Sequence, residues 1–143
     1  KKRGMTIEEY NHLGETDPST DREVDEYQKQ LAAKEKNFVI DGRTSWYFIP
    51  TSFKIYLSVD ERVGAERIFS ALQKNASRNE GENLTDADAV LASNRKRIAS
   101  DKKRYTKYYG IDAYDTRNYD LVIDTTKETP ESTVKKILGC LPR

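Results

Sequence analysis

Arg97, Asp101 and Arg104 stand at i, i+4 and i+7 of a stretch rich in helix-forming residues. That spacing puts two guanidiniums and one carboxylate on a single helix face. A guanidinium is a planar fork of donors that meets phosphate oxygens two at a time. A carboxylate between two such forks is suited to accept from sugar hydroxyls or a base amine. Upstream, Asp41-Gly42-Arg43 follows the apolar run Phe38-Val39-Ile40. In open parallel sheets, ligands sit at the carboxyl ends of strands, so Arg43 is expected to reach a bound anion from a strand end. Gly42 beside it would permit close approach. Together these residues have the chemistry of a nucleotide site.

The elements that must position them follow from the pattern of apolar residues. Thr6-Ile7-Glu8-Glu9 opens a short helix ending near Gly14 or Thr16. A second helix is predicted from about Asp21 to Lys36, with Val24, Tyr27 and Leu31 on its inner stripe. Phe38 to Asp41 reads as a strand covered on both faces, as in parallel sheets. Phe53 to Leu57 is a second strand. Asp60 then caps a helix carrying Val63, Ile68 and Leu72. Residues 75–83 have no apolar periodicity and read as a loop. Thr85 with Asp88 starts the long helix, which runs to about Tyr108 and stops at Gly110. Tyr119 to Ile123 is the third strand. Thr129 and Pro130 open a last helix with Val134, Ile137, Leu138 and Leu141 inward. The order is α-α-β-β-α-α-β-α, and strands separated by helices imply an α/β domain with a parallel sheet.

Composition narrows the function classes. The 143 residues suffice for one domain and show no repeat or linker. Basic and acidic side chains, 25 against 24, nearly cancel, so bulk charge gives no case for nucleic-acid or membrane-surface binding. The apolar runs are only a few residues long, too short for a membrane span. His12 is the single histidine, which argues against a His-rich metal site and most His-based acid–base chemistry. Cys140 is the single cysteine; it cannot form an intrachain disulfide, fits a reducing cytoplasm and is expected to be a buried, inert thiol. Three parallel strands make a thin domain. Lys1-Lys2-Arg3 reads as the tail of a helix already in progress, so an N-terminal stretch is expected upstream.

An ordered set of segments carries a family resemblance across almost the whole chain. Arg3-Gly4-Met5-Thr6-Ile7-Glu8-Glu9-Tyr10, Asp17-Pro18 with Asp21-Arg22-Glu23-Val24-Asp25, Val39-Ile40-Asp41-Gly42-Arg43, Glu66-Arg67-Ile68, Lys102-Lys103-Arg104-Tyr105, Tyr108-Tyr109-Gly110-Ile111-Asp112 and Tyr119-Asp120-Leu121-Val122-Ile123-Asp124-Thr125 occur in that order. They resemble the cytidylate kinases of the short, archaeal-like type, among the nucleoside monophosphate kinases. The resemblance implies a P-loop kinase core: a parallel sheet flanked by helices, with a helical lid over about residues 63–104. The family's glycine-rich phosphate loop, ending in Gly-Lys-Ser/Thr, has no counterpart in the 143 residues. Its first strand, loop, helix and second strand are therefore the part expected upstream.

The resemblance also implies roles. ATP would be the phosphoryl donor and CMP or dCMP the acceptor, with Mg2+ as cofactor and a monomeric cytoplasmic enzyme. Arg43 would contact the acceptor phosphate. Asp41 would hold magnesium through water, although a strand-end carboxylate capping nearby amides reads equally well. Arg67 would point at the transferring phosphates, Arg97 would bind the acceptor phosphate and neutralise the transition state, Asp101 would accept from the ribose, and Arg104 would brace it and touch the nucleoside. Where the family's bacterial branch often has Asp after Gly-Arg, this chain has Thr44. Without the resemblance, the α-helical charges would read as an ordinary solvated face. A related small-molecule kinase with another acceptor, or an inactive nucleotide-binding or interaction module without a phosphate loop, are the competing readings.

Overall fold

A computed structural model describes residues 7–17, 19–74 and 84–142. The chain forms two compact units, one of residues 1–21 and 60–112, the other of residues 22–59 and 113–143. The predicted loop at 75–83, with Arg78, lies outside the described residues, as do Thr6 and Pro18.

The first unit is helical: α1 (Ile7–Thr16), α4 (Glu61–Lys74) and α5 (Ala87–Tyr109), with the first residues of α2 (Ser19–Lys34). Asp60 caps α4 by accepting from the backbone N–H groups of Arg62 and Val63 at 3.0 and 3.1 Å. The cap of α5 is Asp86, one residue past the predicted Thr85; its carboxylate accepts from Ala89 N at 2.8 Å. Alanine, lysine and arginine then carry the helix for 23 residues. Gly110 ends it at φ 71°, a left-handed conformation that costs other residues strain. Ala65 and Val90 are the fully buried apolar side chains of this unit. Arg95 donates to Glu61 at 2.7 and 3.0 Å, and Arg62 pairs with Asp88 and Glu66, so charges rim the α4–α5 packing. Along α1, Glu15 accepts from Ser100 Oγ at 2.9 Å and Lys103 Nζ at 2.6 Å. The Tyr108 hydroxyl donates to the carbonyls of Gly14 and Glu15 at 3.0 and 3.1 Å. These polar contacts fasten the C-terminal end of α1 to α5.

The second unit holds most of α2, a short α3 (Ser45–Phe48), β1 (Ile55–Ser58), β2 (Leu121–Asp124) and α6 (Pro130–Cys140). The two strands pair in parallel, Ile55 opposite Leu121 and Ser58 opposite Asp124, with Ile123 buried. Thr125 closes the ladder, its N–H and Oγ both donating to Ser58 O at 2.8 Å. Thr129 and Ser132 cap α6 reciprocally, with Pro130 just inside.

Three expectations need correction here. Phe38–Asp41 is not a strand: among the described residues nothing pairs with its backbone, and Val39 is 100% exposed. An apolar run becomes a strand only when a neighbour completes its hydrogen bonds. α2 turns Asp25 and Gln28 inward and leaves Val24 and Tyr27 exposed, because the surface it meets is the polar pair Thr44 and Ser45. On α6, Thr133 is buried and Ile137 half-buried, whereas Val134, Leu138, Leu141 and Cys140 are exposed. Every exposed large apolar side chain among the described residues belongs to this second unit. Two strands and their helices offer too little surface to cover those faces.

Candidate nucleotide site

The α5 face carrying Arg97, Asp101 and Arg104 is organised around a buried ion cluster. Asp101 is 0% exposed and Arg104 3%. One terminal nitrogen of Arg104, Nη2, donates to Asp101 Oδ1 at 2.6 Å. The other, Nη1, donates to both oxygens of Asp21, at the start of α2, at 2.7 and 2.8 Å. Nε is buried with no hydrogen-bond partner among the described residues. The guanidinium also lies 5.2 Å from the centre of the Tyr105 ring. One cation is therefore shared between two carboxylates, in a dry setting where such bonds are strong and unpaired charge is costly. Burial raises the pKa of Asp21, and the charge of Arg104 offsets only part of that. Burial pulls the Arg104 pKa down, but Asp21 foremost, then Tyr105 and Asp101, more than reverse it, so the guanidinium stays charged. Enclosed in this way, Asp101 and Arg104 face each other and Asp21. A ligand reaches them only after the surrounding packing shifts.

Arg97, one turn before Asp101, is half-buried and donates from Nη2 to Asn94 Oδ1 at 3.1 Å. Arg67 is exposed on α4 and lines an open groove of about 430 Å3 with Val63, Glu66, Ser70, Ala71 and Lys74. The groove carries two cations, Arg67 and Lys74, and the carboxylate of Glu66.

In the second unit, Asp41 and Arg43 are both exposed. Arg43 precedes the short helix α3 instead of ending a strand, since the strand does not form. Gly42 serves a different neighbour from the one expected. A Cβ there would lie 2.4 Å from Ser45 Oγ, so the glycine makes room for Ser45 to fold back against the chain. Gln28 Nε2 donates to Thr44 Oγ1 at 3.4 Å, while Gln28 Oε1, Ser45 Oγ and Trp46 Nε1 are buried without partners among the described residues. Trp46 packs against the rings of Tyr47 and Tyr119, both at 5.9 Å.

No three His, Cys, Asp or Glu side chains among the described residues are grouped to cage a metal ion. Magnesium in phosphoryl-transfer sites keeps several waters and uses one or two carboxylates together with substrate phosphates. Asp41 offers one exposed carboxylate. Among the described residues no helix is long and apolar enough to cross a membrane. Sequence reasoning missed Asp21 as a member of the α5 cluster. It lies 83 residues from Arg104, and no local pattern links the two.

Comparison with known proteins gives a consistent result. Residues 2–127 match the sequence model of the cytidylate kinase-like family. A cytidylate kinase of Archaeoglobus fulgidus is 36% identical over 138 residues, covering 96% of this chain and 71% of the relative. Those of Pyrococcus furiosus and Pyrococcus abyssi are 42% and 41% identical over 132 residues, covering 92% of this chain and 62% and 66% of the relatives. The chain thus spans about two thirds of the length of these curated relatives. No solved structure matches it.

Proposed function

The chain belongs to the cytidylate kinase-like family, and from that premise we propose that the full-length gene product transfers the γ-phosphoryl group of ATP to CMP or dCMP, giving CDP or dCDP. The observation that carries this reading is the family match across residues 2–127, a span that contains Asp41, Arg43, Arg67, Arg97, Asp101 and Arg104. Two anions must meet in such a reaction. The protein's task is then positioning and charge neutralisation, with no need of a histidine or cysteine nucleophile.

In this reading Arg97 binds the acceptor phosphate and neutralises charge on the phosphoryl group in flight. Arg43 contacts the acceptor phosphate, and Arg67, on its open groove, meets the donor's phosphates. Asp101 accepts from the ribose and Arg104 holds it. Asp41 would hold magnesium through water, and the ion would draw negative charge from the phosphate oxygens. Residues 63–104 act as a lid that excludes water from the reacting phosphates. The protein works as a monomer in the cytoplasm. Transfer of this kind also calls for the family's glycine-rich phosphate loop, which the 143 residues do not contain.

The burial of Asp101 and Arg104 favours a second reading of those two residues: they brace the segment that ends at Asp21 against α5, and Arg97 is the member of the face that touches ligand. The two readings separate on kinetics. A ribose contact makes Asp101→Asn raise the KM for CMP, whereas a pure brace makes it lower stability alone. The overall function is tested by incubating the full-length gene product with ATP, Mg2+ and each nucleoside monophosphate, and following diphosphate formation by chromatography. An absence of CDP would refute it.

A further inference from the structure

We propose that Lys74 is a further donor-binding residue, holding the polyphosphate chain of the nucleoside triphosphate in the groove that Arg67 also lines. This rests on the kinase reading above and deepens it on the donor side.

The groove of about 430 Å3 runs along α4 and is lined by Val63, Glu66, Arg67, Ser70, Ala71 and Lys74. Arg67, Ser70 and Lys74 stand at i, i+3 and i+7, so a cation, a hydroxyl and a second cation succeed one another on neighbouring turns. From Arg67 to Lys74 the helix rises about 10 Å. Two long, flexible side chains can close on one extended anion across that span. Arg67 brings a planar fork of donors, and Lys74 a compact charge with three donors on a rotatable stem. A polyphosphate offers both of them oxygens at once. A single phosphate would meet only one end of the row.

Charge on the groove favours an anion at the Lys74 end. Glu66 is the one carboxylate among the lining residues. Arg62, outside the lining and one turn earlier, donates from Nε to Glu66 Oε1 at 3.1 Å, so part of that negative charge is met from beyond the groove. Lys74 is exposed, and among the described residues no hydrogen bond or ion pair engages its ammonium group. It stands in the last turn of α4, where the backbone carbonyls gather partial negative charge that would repel a phosphate. A cation there reverses the sign at that end. A lysine serving the helix end alone could stand on any side of the last turn; Lys74 stands on the side that lines the groove.

The test is Lys74→Gln in the full-length gene product, with KM for ATP, KM for CMP, kcat and thermal midpoint measured at several KCl concentrations. The expected result is a KM for ATP raised about three- to tenfold, between the worth of an exposed ion pair and that of a hydrogen bond to a charged group. The KM for CMP and the midpoint should not move. Salt screens exposed charge contacts, so the KM for ATP of the parent should climb more steeply with KCl than that of Lys74→Gln. Lys74→Arg keeps the charge and should hold the KM for ATP within about twofold of the parent, inside the spread of one exposed ion pair. An unchanged KM for ATP in Lys74→Gln would overturn the inference, whether or not the midpoint falls. Equal rises in both KM values, equal salt slopes, or a Lys74→Arg protein as impaired as Lys74→Gln would overturn it too. A parent protein that makes no CDP would refute the kinase reading itself, and this inference with it.

Discussion

Replacing Arg104 with methionine should destabilise the protein more than replacing either carboxylate, and the structure gives the size of the effect. Methionine fills a similar apolar volume and makes no ionic bond. Three hydrogen bonds vanish, two to Asp21 and one to Asp101. What remains is a fully buried Asp101 beside a nearly buried Asp21 with no cation between them. Removing one partner of a buried ion pair typically costs about 3–5 kcal/mol. Two stranded carboxylates place this case at the upper end. By contrast, Asp101→Asn leaves Arg104 with both bonds to Asp21 and should cost about 1.5–3 kcal/mol, the worth of one hydrogen bond to a charged group. At roughly 3–4 °C per kcal/mol for a chain of this size, the thermal midpoint should fall by about 10–20 °C for Arg104→Met and by about 5–10 °C for Asp101→Asn. Urea denaturation of the full-length gene product at neutral pH gives the same ordering independently.

The pH dependence supplies a second sign. Burial already raises the folded-state pKa of Asp21 above its ordinary 3.8. Loss of Arg104 raises it further, because the opposing charge is gone. A carboxyl whose folded pKa is raised costs the fold stability once ionised, and that cost fades as pH falls through the folded value toward 3.8. The gap between parent and Arg104→Met should therefore narrow on going from neutral to mildly acidic pH. A gap that widens with acid, or an Arg104→Met protein as stable as the parent, would refute the shared-cation description.

Three further outcomes are expected. Arg97→Ala in the full-length gene product should lower kcat by about 10²–10³, the effect of removing one charge-stabilising donor; turnover unchanged in steady-state assays would take Arg97 out of the mechanism. Gly110→Ala should cost about 1–2 kcal/mol in denaturant unfolding, purely from the left-handed backbone, because an added Cβ there meets nothing within 4 Å. Asp115, which receives Arg117 Nε and Nη2 at 2.9 and 2.6 Å, should titrate at about 2 by NMR, and Arg117→Ala should return it toward 3.8.

Local chemistry was legible in the sequence wherever a short stretch decides its own conformation. Thr129 before Pro130 fixes where α6 begins, Gly110 fixes where α5 ends, and Asp60 caps α4 as its spacing predicts. The parallel pairing of β1 and β2 follows from strands separated by helices. What was illegible depends on distant partners. The run Phe38–Ile40 has strand composition, yet strand structure needs a hydrogen-bonding neighbour, and the described residues provide none. Along α2, periodicity shows which residues share a face but not which face meets the protein. Asp25 and Gln28 are buried where Val24 and Tyr27 were expected. At the candidate site, the i, i+4, i+7 spacing does place Arg97, Asp101 and Arg104 along one side of α5. It could not reveal that Asp21 completes the cluster from 83 residues away, or that the pair it completes is enclosed.

As proposed above, this chain is the nucleotide-gripping part of a kinase that phosphorylates cytidine monophosphates. The most direct measurement is the initial rate of diphosphate formation by the full-length gene product, with ATP and Mg2+, across CMP, dCMP, UMP and AMP. The account predicts that kcat/KM for CMP or dCMP exceeds that for UMP and AMP by at least about tenfold, the discrimination of one well-placed polar contact. Equal rates on all four, or no transfer to CMP, would contradict it.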